Sequence, residues 1–506
     1  MTRILFAARH GQSRQRSLVL VVLALGLSLP VRVQAQEDEP RTVEEILRGD
    51  GPSTDGEGWT ADALSARVRE TSPSLVAADA AIERAGAASR EAVVALFPTL
   101  QLSARYTRIN EVNNDPWVQL SHDSAGTETL VAGVDDPEAR ALWSNTLSQT
   151  ASLSQSSIEV PQNQWSFDAT LQVPVSELFL SLLPALEAAD AQVDAERARR
   201  EVTEAELDLR ARQMFYGLVR ARALVAVAEE RLRDAEERKR STEAAAAAGA
   251  ARRSDVLRTE ALYLQSEAAR ARAEAAELGA AEMIRAFAHI DGPIRIAEDV
   301  TIRLAPVTVR PRVLVDEAMD RRAEVQALRA ATRAHSHAVD AQEGSRWPAL
   351  RLGLGARIAN PNDRFVPIRE QFDTTWDVSA ILSWSPNATV SAEARASASR
   401  ADMAQTQAEL ANFQDALRAE LIQAWADDRA ANATVDEAEG AQEAAREAYR
   451  ARRVEQREGQ GTLSAVLDAE AELTQAQVGW IEANVGARIA RARLSRLSGG
   501  AVEQPR

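Results

Sequence analysis

Gly249-Ala-Ala-Arg-Arg-Ser254-Asp255-Val256-Leu257-Arg-Thr-Glu260 is met again, 210 residues on, as Gly459-Gln-Gly-Thr-Leu-Ser464-Ala465-Val466-Leu467-Asp468-Ala-Glu470. Gly, Ser, Val, Leu and Glu recur in register, and Gln265 with Gln475 extends the match. In both places a very long stretch rich in Ala, Glu and Arg precedes the glycine and a shorter one follows. That order reads as a helix, a tight reversal and a returning helix. Self-similarity at this distance reads as a duplicated unit.

Working outward, two more pairs fit the duplication. Phe97-Pro98-Thr-Leu100-Gln-Leu102 resembles Trp347-Pro348-Ala-Leu350-Arg-Leu352, and Trp165-Ser-Phe-Asp-Ala169-Thr-Leu171 resembles Trp376-Asp-Val-Ser-Ala380-Ile-Leu382. Pro98 to Trp165 is 67 residues but Pro348 to Trp376 only 28, so the first unit carries 39 extra residues around 111–163. That segment is rich in Asn, Ser, Asp and Gln and is expected to be a loop. Each unit then has one order: a leading helix (about 61–96 and 313–345), two strands (98–108 and 164–174; 348–358 and 375–385), a long helix (about 185–247 and 391–457) and a return helix (about 252–289 and 462–498). The first repeat covers 61–290 and the second 313–499. Residues 36–60 are an N-terminal linker, 500–506 a tail, and 291–312 a Pro-punctuated linker in which a short strand such as Val300–Leu304 is expected.

A helix of some sixty residues spans ~95 Å, too long for the core of a compact globule, so it must lie against other helices along its length. The leading and return helices together are long enough to line it if they stack end to end.

The four strands alternate with period two. Leu100, Leu102, Ala104 and Tyr106 oppose Gln101, Ser103, Arg105 and Thr107; the other three behave alike, with Ile381 breaking one polar face. A soluble sandwich would alternate too. Strands of 9–11 residues also suit a tilted passage through an outer membrane, with Tyr106, Trp165, Trp376 and Trp384 placed near strand ends. On that reading Arg105, Asp168, Arg351, Arg357 and Asp377 face a water-filled lumen. Four strands cannot close a barrel, and open edges in lipid leave backbone groups unsatisfied, so several chains must join. Two chains give a filled eight-stranded barrel; three is the smallest number with an open lumen.

The rest of the chain bounds the function. Arg9, Arg14 and Arg16, the apolar run Leu18 to Leu29, and Val33-Gln34-Ala35 read as a signal peptide over 1–35. No later apolar run is long enough for a membrane helix. The 506 residues contain no cysteine, which excludes disulfides, thiolate metal sites and a lipid-modified cysteine. Removing the five arginines of residues 1–35 from a net −16 leaves −21, which argues against nucleic acid. No catalytic constellation, metal site or cofactor loop stands out. His335 and His337 are two apart on a helix and do not face each other.

These residues resemble the TolC family of outer-membrane efflux proteins over about 60–500. The best motif is Gly461-Thr462 followed by Val466-Leu467-Asp468-Ala469; Ser72-Pro73-Ser74-Leu75 and the aromatic-Pro steps at Pro98 and Pro348 also match. The resemblance implies an α+β membrane protein: a homotrimer with a twelve-stranded β-barrel in the outer membrane and an α-helical tunnel in the periplasm. It would give passive exit for an inner-membrane transporter, reached through a periplasmic adaptor, in a tripartite efflux pump or a type I secretion system. The turns at Gly249, Gly459 and Gly461 would be the periplasmic tips, and Asp255 and Asp468 would ring the aperture. Ala465 stands where some members are acidic, and the insertion is long. Two alternatives stay open. Asp255 and Asp468 could be ordinary first-turn acids, and the chain could be a non-channel periplasmic adaptor or scaffold.

Overall fold

The computed structural model describes residues 41–49, 58–110, 124–154, 161–366, 368–500 and 502. The expected signal peptide 1–35 and most of the tail 500–506 lie outside the described residues.

The segment expected to be a linker holds α1 (Val43–Arg48), started by a Thr42/Glu45 capping box, and β1 (Gly58–Trp59). The first leading helix is two helices, α2 (Ala61–Thr71) and α3 (Pro73–Ala95). Ser72 caps the second and Pro73 opens it, and a proline N1 cannot continue the preceding helix. After β2 (Thr99–Arg108) the insertion departs from the expected loop by forming α4 (Ser124–Ala132) and α5 (Pro137–Ser154). β3 (Asn163–Pro174) returns, then α6 (Val175–Glu177), a π-helical turn (Leu178–Leu182), α7 (Leu183–Ala247) and α8 (Arg253–Ala288). In the linker between the repeats the strand is β4 (Arg295–Ile296), not Val300–Leu304, because its partner β1 lies there; Gly58 pairs with Arg295 and Trp59 with Ile296.

The second leading helix also breaks, at Arg322, into α9 (Pro311–Arg321) and α10 (Ala323–Gly344). Then come β5 (Ala349–Asn360), β6 (Asp373–Ser383), α11 (Pro386–Arg457) and α12 (Leu463–Leu497). With 65 and 72 residues, α7 and α11 run about 98 and 108 Å.

Packing places α7 between α3 and α10 near the strands, and between α8 and α12 towards the turns. α11 packs on α10 and α12, so α3 with α8 forms one flank and α11 the other. The sheet repeats that order, β2-β3-β5-β6, all antiparallel.

Two apolar cores sit midway. One joins α1, α2, α7, α8 and α12 around Phe215, Tyr216, Leu218 and Ile481; the other joins α9, α11 and α12 around Leu314, Leu417, Leu421 and Leu494. At the first, the Tyr216 hydroxyl (2.8 Å) and the Ala61 N–H (2.9 Å) donate to Glu298. At the second, Arg491 is 1% exposed and donates to both carboxylate oxygens of Asp428, at 2.8 and 3.2 Å, and to the Ala305 carbonyl. A bidentate pair this deep satisfies both ions.

Candidate functional site

The register puts the alternating apolar strand positions on one face, with Ile381 opposite Arg351 on the other. Tyr106 pairs with Trp165, Leu102 with Ala169 and with it Ala356, and Ala356 with Trp376. This face is open: Leu102, Val378 and Leu382 are each about 70% exposed. Most exposed aromatics fall towards its two ends. Tyr106, Trp165 and Phe372 lie at the end far from the long helices, with Phe167 and Trp376 one and two rows further in; Phe97, Phe179, Trp347 and Trp384 lie beside the helices. The nine steps from Phe97 to Tyr106 cover about 30 Å of extended chain, or roughly 23 Å when tilted about 40°. A contiguous apolar face of this size needs a covering that the chain does not supply.

The opposite face is polar and concave, lined by Asp168, Thr170, Gln172, Arg351, Arg357, Arg364, Asp377 and Ser379. Asp168 and Arg357 are direct cross-strand partners at 2.6 Å, and Arg364 reaches Asp377 at 2.6 Å. Arg351 does not join them; it holds Glu177 at 2.8 Å where the strand gives way to helix. Arg105 stands opposite Ser166, on the same face.

At the far end, both reversals are built alike. Gly249 (φ +78°) and Gly459 (φ +75°) take the left-handed conformation that closes a helix. Ala250 N–H then donates to Ala245 O, and Gln460 N–H to Glu455 O. Gly461 has a different reason to be glycine: a Cβ there would stand 3.0 Å from the Gln456 nitrogen. The two acids beyond the turns differ. Asp255 accepts the Arg252 N–H at 3.2 Å in the first turn of α8, as a helix-starting acid does. In α12 that job belongs to Thr462, whose hydroxyl accepts the Ala465 N–H, and Asp468 lies one turn further on with its side chain exposed.

Sequence reading missed the polar cluster just above these turns. Tyr449 of α11 donates to Asp234 of α7 at 2.7 Å, Arg453 reaches Glu237 at 3.2 Å, and Arg238 pairs with Glu470 of α12 at 2.6 Å. Burial, then Asp234, pushes the Tyr449 phenol far up, so it stays a donor. Burial likewise raises the Glu470 carboxyl despite the opposing pull of Arg238. The partners are more than two hundred residues apart, and only their helical spacing set against the duplication could have hinted at the meeting. His337 sits 3.0 Å from Glu187, away from His335.

No protein-family model matches the chain, and no curated protein matches its sequence. Solved structures match closely in shape. The outer-membrane channel OprN is 18% identical with a TM-score of 0.68, over 87% of this chain and 90% of that one. The CmeC outer membrane channel of Campylobacter jejuni is 11% identical with a TM-score of 0.69, over 88% and 87%. The outer membrane protein VceC of Vibrio cholerae is 16% identical with a TM-score of 0.66, over 88% and 97%.

The chain has the outer-membrane channel fold.

This is the fold that the resemblance to the TolC family implied. Within it the open apolar face, the polar concavity and the two glycine turns are the features on which a function must rest. Among the described residues no helix is long and apolar enough to cross a membrane.

Proposed function

We propose that three copies close head to tail into an outer-membrane channel, the strands crossing the membrane and the long helices forming a periplasmic duct. The observation that carries this is the open-edged sheet whose exposed apolar face is bounded at both ends by aromatics, the arrangement of membrane barrels. The flanks support closure. β2 with α3 and α8 on one side, and β6 with α11 on the other, are different surfaces, so joining them is heterologous and can form a ring. Both flanks carry unused coiled-coil seams. Leu257, Leu264, Ala271 and Leu278 repeat every seven residues on exposed α8. Val390, Ala394, Ser397, Ala401, Ala404, Ala408 and Ala411 alternate by four and three on exposed α11, small side chains that let another helix come close.

In the ring, Arg105, Asp168, Arg351, Arg357 and Asp377 line the barrel lumen, and the turns at Gly249, Gly459 and Gly461 face the inner membrane. Asp255 and Asp468 stand beside the aperture, and the Tyr449–Asp234 and Arg238–Glu470 contacts hold the helix ends together around it. Substrates leave passively, delivered by an inner-membrane transporter through a periplasmic adaptor, in a tripartite efflux or type I secretion system. An adaptor or scaffold has no use for a membrane-length sheet.

The test is extraction and cross-linking. The protein should leave outer membranes only with detergent, give a cross-link ladder that stops at three, and conduct in planar bilayers. A tag near Gly126 should be reached by antibody on intact cells. A stable monomer without detergent would overturn the reading.

A further inference from the structure

The α4–α5 insert has no counterpart in the second repeat. It is a defined hairpin. Asp136 accepts the Glu138 N–H at 3.0 Å ahead of Pro137, and Arg140 donates back to the Val134 carbonyl at 2.9 Å. Among the described residues its main packing partner is itself, α4 against α5. Yet it shows large apolar side chains to solvent: Leu130 is 74%, Leu142 69% and Trp143 59% exposed.

Its charge argues against lipid as the cover. Residues 124–154 hold Glu128, Asp135, Asp136 and Glu138 against one Arg140, whereas helices that lie on membranes carry Lys and Arg on their polar face. Its position and length argue for other copies. Along the chain the insert lies between β3 and β2, the edge strand at which the next copy joins in the proposed ring. Twelve strands about 4.8 Å apart and tilted about 40° enclose a barrel roughly 24 Å across. The 18 residues of α5 span about 27 Å, enough to reach the axis from any side.

We propose that the α4–α5 inserts of three copies pack on one another through Leu130, Leu142 and Trp143 and cap the outer mouth of the channel. This rests on the proposed ring, and the partner surface is a second copy of this chain.

The chain has no cysteine, so Trp143→Cys provides its one thiol. The wild-type amine cross-link ladder comes first; a ladder that does not stop at three defeats the ring itself. With the three-step ladder in place, a short bis-maleimide should link Trp143→Cys chains into covalent dimers and leave Asn145→Cys chains single. Equal linking of both, or of neither, overturns the cap alone. Leu142→Ser with Trp143→Ser should raise single-channel conductance roughly twofold or more, because the mouth widens. Unchanged conductance overturns the cap, as does quenching by brominated lipid chains of a bimane on the Trp143→Cys thiol, which would place the helix in the membrane.

Discussion

α7 and α11 are the same helix of a duplicated unit, yet they are buried differently. α7 buries 17 of its 65 residues and α11 only 10 of 72, so the second helix lacks neighbours that the first possesses. The sequence of α11 does not explain this by charge, since its exposed seam is alanine at nearly every step. Its place does: α7 is flanked on both sides within the chain, and α11 stands at the edge. Interior and edge copies of one helix thus mark the side on which the proposed ring would seat another chain. The midpoints of the repeats differ too. At the offset of 210 that relates the turns, the buried Asp428–Arg491 pair of the second repeat corresponds to Leu218 and Ala281, which are apolar core in the first.

The strongest way to break this comparison is to charge the two helices. Leu264→Glu on α8 or Ala404→Glu on α11, each in an exposed seam, should abolish assembly while far-ultraviolet dichroism stays helical. Ala223→Glu on α7, at a fully buried position, should instead unfold the chain, an effect of roughly several kcal/mol. Cross-link ladders and dichroism measured together separate the outcomes; equal behaviour of the three would end the distinction between edge and interior.

Next in size is the ion pair. Asp428→Ala leaves a guanidinium buried without its carboxylate and should cost ~3–5 kcal/mol in denaturant unfolding, while Asp428→Leu with Arg491→Met should come close to neutral. A double variant as damaged as the single one would show that the second repeat cannot accept the apolar solution of the first.

The two tip acids sharpen the comparison further. Asp255→Asn should lower thermal stability by about 0.5 kcal/mol through its lost helix-start contact, with selectivity unchanged. Asp468→Asn should leave stability alone and reduce cation preference in planar bilayers. Identical effects on selectivity would make both of them ring residues.

The smallest effect is a response to pH. Glu470 has a raised carboxyl pKa, so its buried charge opposes folding near neutrality, and that opposition fades as pH falls through the raised value. Glu324 is the reverse. Burial raises it, but the Arg322 hydrogen bond and charge, with Arg496, bring the net shift below the ordinary value. Its contribution is present above the ordinary carboxylate range and lost as pH falls through the lowered one. Mild acid should therefore increase hydrogen-exchange protection near 466–474 by a few tenths of a kcal/mol, and only stronger acid should loosen 320–328. Parallel changes in both segments would contradict this assignment.

Much of this architecture was legible because its signals are periodic or duplicated. Strand alternation from Leu100 to Tyr106 and the repeated Gly-to-helix step are patterns along the chain. The break at Ser72 carries a marker in Pro73, but the break at Arg322 has no proline or glycine beside it, and only its position in the duplication hints at it. The insert helices were hidden by a composition of Ser, Thr, Asn and Gln that turns share. The tip contacts were hidden because Tyr449, Asp234, Arg238 and Glu470 are ordinary helical residues until α7, α11 and α12 are set side by side.

Unlike flanks carry a genetic consequence. In the proposed head-to-tail ring each subunit offers one flank of each kind, so an allele with a damaged α11 would still present a sound α8 and be recruited beside normal subunits. Expressed equally with the intact allele, it would leave only about one ring in eight free of a faulty seam. Such an allele would be dominant, whereas one that destroys the α7 core would be silent, its product never entering a ring.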